Sequence, residues 1–136
     1  MKQIVSVFTL LMVTAAVFFS CSGPPKPILE EEELMNALQK VQDGVEAKVS
    51  YEKFDTLLSA AGKKLDALKR IEERNSCFYN AVDKCYSSFS IGQKAWKLKE
   101  EAEDEKRRMD MDTTLSFSLG FASVSLAKAG ECFKKM

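Results

Sequence analysis

The stretch TTLSFSLGFASVSLAKAGECFK, residues 113–134, decides the fold, because it supports two incompatible structures. Leu115, Phe117, Leu119 and Phe121 alternate as a strand does. Leu115, Leu119, Ala122, Leu126, Ala129 and Phe133 recur instead at steps of three and four, as along one side of a helix. Length separates the two: about 20 residues is far longer than an ordinary strand, and Ala122, Ala127 and Ala129 favour helix. Read as a helix at 100° per residue, the stretch leaves Phe117, Phe121 and Val124 on the side opposite the first stripe. Such a helix either sits at the centre of a bundle or offers Phe117, Phe121 and Val124 as a face for a protein partner.

Working back towards the N-terminus, KLKEEAEDEKRRMD (residues 97–110) has few apolar residues and mixed charges at helical spacing. It reads as a solvated helical extension, with Asp110 or Asp112 capping the last helix. Before it, Phe78, Val82, Cys85, Phe89, Gly92 and Trp96 form a third apolar stripe, started by Asn75 and Ser76. Tyr51, Phe54, Leu58, Ala61, Leu65 and Leu68 form the clearest stripe in the chain, and Ser50 is its natural N-cap. Leu34, Leu38, Val41 and Val45 give the first stripe, preceded by Glu30 to Glu33, whose charges suit a first helical turn. The three prolines, Pro24, Pro25 and Pro27, all precede these stripes, so nothing breaks the helices that follow. The expected fold is therefore all-α: a small antiparallel bundle of three to four helices over residues 30–136, after a Pro-rich linker over 21–29.

Four cysteines occur: Cys21, Cys77, Cys85 and Cys132. If the last two helices turn near Met109 to Met111, facing residues have numbers that sum to about 220. Cys85 with Cys132 comes near that sum, and Cys77 with Cys132 lies about two turns away. Cys77 and Cys85 are about 12 Å apart along one helix, too far for a bridge. The spacing thus predicts a Cys85–Cys132 disulfide, the alternative being buried thiols throughout. Cys77 is then a small buried residue, a reactive thiol or an intermolecular link.

Composition removes several chemistries. The chain has no histidine, so Ser/His and Cys/His catalysis and the commonest metal ligand are missing. No CxxC, glycine-rich phosphate loop or paired-cysteine zinc motif occurs. Asp110, Asp112 and Thr114 begin like a calcium loop, but Leu115 and Phe121 stand where that loop needs Gly and Glu. The Glu30–Glu33 and Glu100–Glu105 runs read as solvated faces. Tyr51, Tyr79, Tyr86 and Trp96 fit a core better than a ligand cleft. With 20 basic and 20 acidic residues, the chain has no surplus of positive charge for nucleic acid. No catalytic residue, metal site or cofactor is expected.

The N-terminus has its own pattern. Lys2 is followed by sixteen uncharged residues, Ile4 to Phe19, and then by small residues around Cys21. That run spans about 24 Å as a helix, short of the roughly 30 Å of a bilayer core, and matches an export signal over 1–20. Phe18, Phe19, Ser20 and Cys21 resemble the lipobox of bacterial lipoproteins: Ser20 and Cys21 match it, while Phe18 and Phe19 replace its aliphatic and small residues. The resemblance implies cleavage before Cys21 and acylation of Cys21, tethering the body to a membrane. With Ser22 after the cysteine, it also implies an outer membrane location facing the periplasm. An uncleaved signal anchor and ordinary cleavage with Cys21 free are the other readings. Cleaved at Cys21, the chain keeps 116 of its 136 residues and a formal charge of about −1, since Lys2 goes with the leader.

These features point to an envelope lipoprotein acting as a structural or protein-interaction module, not an enzyme. By analogy of size, helicity, disulfide and anchor it is similar to pilotin-like or accessory lipoproteins. An exported helical small-ligand binder is the alternative.

Overall fold

The computed structural model describes residues 26–136. The expected leader over 1–20, Cys21 and residues 22–25 of the expected linker lie outside the described residues. The rest forms four helices: α1 (Leu29–Glu46), α2 (Tyr51–Lys69), α3 (Ser76–Glu100) and α4 (Glu105–Lys134). Residues 113–134 are helical throughout, as their length requires.

Successive helices run antiparallel, which the pairs across each interface record. Lys64 of α2 reaches Glu33 of α1 at 2.8 Å, Gln93 of α3 donates to Asp55 of α2, and Lys99 of α3 pairs with Asp112 of α4. The core takes one stripe from each helix: Leu34, Leu38 and Val41; Phe54, Leu58, Ala61, Leu65 and Leu68; Phe78, Val82, Cys85 and Phe89; Ala122, Leu126 and Ala129. Burying each of the larger side chains contributes about 2 kcal/mol. Small residues in α4 let it lie close to α3, and Gly92 admits Leu115, Ser118 and Leu119.

The aromatics are engaged within the bundle. Tyr51 meets Trp96 edge to face at 5.7 Å, Phe54 lies 5.6 Å from Trp96, and Tyr86 covers Gly62, where a methyl group would come within 2.5 Å of its hydroxyl. Tyr79 lies under the Arg74 guanidinium at 4.6 Å. Those aromatic surfaces are occupied by the protein itself.

The helix ends depart from the sequence reading in instructive ways. Ser50 caps α2 as expected, accepting from Lys53 N; at α3 the cap is Asn75, in extended backbone and accepting from Phe78 N, while Ser76 is already the first helical residue. The cap of α4 is Asp104, not Asp110 or Asp112: its carboxylate accepts from Lys106 N at 2.9 Å and Arg107 N at 3.2 Å. The charged segment 97–110 is therefore no continuous extension but holds the α3–α4 turn at 101–104. Glu31 is not part of a solvated face either, being 2% exposed. One of its oxygens accepts from Ile28 N at 3.1 Å and the other from Asn75 N at 2.6 Å, so one carboxylate fastens the starts of both α1 and α3.

The shifted turn also corrects the disulfide. Cys132 bonds Cys77, with Cα atoms 5.8 Å apart, and Cys85 is a free, buried thiol. With the turn centred between 102 and 103, facing residues sum to about 205, so Cys77 faces Cys132 and Cys85 does not. A turn near 110 would have favoured Cys85. The bridge closes the open end of the α3–α4 hairpin.

Candidate interaction face

α4 is buried along Ser118, Ala122, Leu126, Ala129 and Cys132. A 3.6-residue period puts Phe117, Phe121 and Val124 on its outer side, and they are 67%, 60% and 69% exposed. α4 is thus not the centre of the bundle: one side packs, and the other faces solvent. The Phe117 and Phe121 rings are tilted against each other, centroids 6.0 Å apart and planes at 36°. Gly120 has no neighbour within 4 Å of where a Cβ would stand. Together with Ser116 and Val124 they line an open hollow of about 490 Å³.

The backbone under this face is held at several points. Cys132 ties the C-terminal end of α4 to the start of α3. Arg108 donates to the Ala102 carbonyl at 3.0 Å, bracing the turn. Charge lies beyond both ends of the apolar stripe. Asp110 is on the N-terminal side, and Lys128 and Glu131, paired at 3.3 Å, are on the C-terminal side. α3 adds Ile91 and Leu98, 52% and 40% exposed. The sequence reading passed over these two, although Ile91 falls visibly off the 78–82–85–89–92–96 stripe.

The remaining sites carry less. Asp110, Asp112 and Thr114 lie inside α4, whose backbone cannot form a calcium loop. No group of three or more His, Cys, Asp or Glu among the described residues is placed to hold a metal ion. Burial pushes the Cys85 thiol up from 9.0 to about 12, so it stays protonated and weakly nucleophilic. A groove of about 570 Å³ runs between α1 and α4, lined partly by Gln39, Gln42, Ser123 and Lys134. Gln42 turns a buried Oε1 without a hydrogen-bond partner. No helix among the described residues is long and apolar enough to cross a membrane. No known protein family, curated protein or solved structure matches the chain.

Proposed function

We propose that this chain is a lipid-tethered module of the bacterial envelope, acylated at Cys21, that holds a protein partner against Phe117, Phe121 and Val124 of α4. The observation that carries the reading is the outer side of α4. Three large apolar side chains are each at least 60% exposed on one helix face, where scattered single exposures are the norm. Two rings in tilted contact on a disulfide-anchored helix lose little freedom on docking, which favours a protein interface over an accidental patch.

The lipobox resemblance supplies the tether, and the Pro-rich composition of residues 21–29 suits a spacer between Cys21 and α1. α1 starts at the end of the bundle where α3 begins and α4 ends, since Glu31 holds Asn75. The face therefore stands about 20 Å along α4 from the tethered end, the rise of the 13 residues from Phe117 to Gly130. An outer-membrane, periplasm-facing position follows from Ser22 in the same resemblance.

A photo-crosslinking residue at Phe117 or Phe121, introduced in the native cell, tests the reading. A discrete adduct from these positions and none from exposed Lys63 on α2 is the expected result. Equal, diffuse labelling from all three positions contradicts it.

A further inference from the structure

The outer side of α4 extends past the three apolar residues as one seam: Asp110, Thr114, Phe117, Phe121, Val124, Lys128 and Glu131, at steps of 4, 3, 4, 3, 4 and 3. That alternation keeps side chains facing a second helix over several turns, as in a coiled coil. Charges flank the apolar centre on both sides, with Arg107 and Asp110 before it and Lys128 and Glu131 after it, the last two paired within the helix at 3.3 Å. Thr114, Phe117, Phe121, Val124, Asp110 and Lys128 are all exposed.

We propose that the partner of this seam is a second copy of the same chain, docked antiparallel through α4 about a two-fold axis passing near residue 119. Self-pairing here presupposes that the α4 stripe is a protein-binding face. In the antiparallel register, Phe117 meets the partner's Phe121, Thr114 meets the partner's Val124, and Asp110 meets the partner's Lys128. Two-fold symmetry makes every contact twice. Arg107 comes level with the partner's Glu131, adding a second opposite-charge pair. A parallel, in-register pair would instead set Asp110 against Asp110 and Lys128 against Lys128, which repel. The seam's charges thus select one orientation.

The exposed area matches a small interface. Phe117 and Phe121 leave roughly 120 Å² each exposed, taking about 200 Å² for a Phe, and Val124 adds somewhat less. The apolar centre is therefore about half of the 800 Å² per partner that a standard interface buries, with the polar seam supplying the rest. Tethering both copies to one membrane raises their effective concentration and so favours an interface of this size. In this arrangement the tethered ends point in opposite directions along α4, so the two-fold axis stands normal to the bilayer.

Charge reversal tests the pairing on the full chain, solubilised in excess mild detergent and followed by sedimentation across a concentration series. Asp110→Lys alone and Lys128→Asp alone each place like charges together, and each is expected to weaken self-association by about tenfold or more. Asp110→Lys combined with Lys128→Asp restores opposite charges and is expected to restore the wild-type dimer. Both positions are exposed, and unchanged helical circular dichroism verifies that the variants fold. A wild type that stays monomeric to about 100 µM overturns the proposal, as does a dimer indifferent to the single reversals or one that the double reversal does not rescue. A monomer that still crosslinks from Phe117 to another protein overturns self-pairing and leaves the partner-binding reading standing. A monomer with no such adduct removes both.

Discussion

Lys48 closes α1 in the left-handed region, with φ of 54°. Val49 N donates to the Gly44 carbonyl and Lys48 N to the Val45 carbonyl, both at 3.1 Å, the pairing of a Schellman end whose left-handed position is normally glycine. A side chain there costs about 1 kcal/mol, so Lys48→Gly is expected to raise stability by about that amount in urea denaturation. Nothing in the local sequence marks Lys48; Gly44, four residues earlier, is the residue that looks like the end signal. It serves packing instead, with Leu57 Cδ1 3.1 Å from where its Cβ would be. Glu31 is equally hidden among Glu30, Glu32 and Glu33, which look alike in sequence. Glu31→Ala strips the partners from two backbone N–H groups and is expected to cost about 2 kcal/mol. Glu31→Gln retains an acceptor oxygen and is expected to cost less, whereas Glu32→Ala, on an exposed residue, should change little.

At the level of elements, the stripes and the first two turns were legible, and the α3–α4 turn was not. The apolar periods at 34–45, 51–68, 78–96 and 115–133 all became helices, because hydrophobic spacing reports which side is buried wherever the segment sits. The charged segment 97–110 hid its turn, because every residue in it suits a solvated helix, and only Asp104, by accepting two N–H bonds, fixes the break. An eight-residue error in the turn changed which cysteine faced Cys132. Two measurements follow. Cys77→Ser with Cys132→Ser is expected to lower stability by about 4 kcal/mol, from a closed loop with a sequence separation of 55. Thiol titration of the folded protein is expected to find Cys85 inert near neutral pH and reactive once denaturant exposes it, since burial holds it up at about 12. Fast labelling of Cys85 in the native fold would contradict its place in the core.

For the whole molecule, the second apolar side of α4 was legible in the same 22 residues that decided the fold, but whether it lay at the centre of the bundle or at the surface was not, and only the exposure of Phe117, Phe121 and Val124 decides it. The occupant of that face was not legible, since an apolar helix side does not name what covers it and the charges flanking it, Asp110 and Lys128, carry no pairing signal in sequence alone. The account joins this face to a membrane through one sulfur atom, and the mass of the N-terminal peptide, measured on protein purified from its native cell, tests that join most directly. The expected result is a chain beginning at Cys21 with the added mass of fatty acyl groups. A chain beginning at any other residue, or a Cys21 without acyl mass, contradicts it.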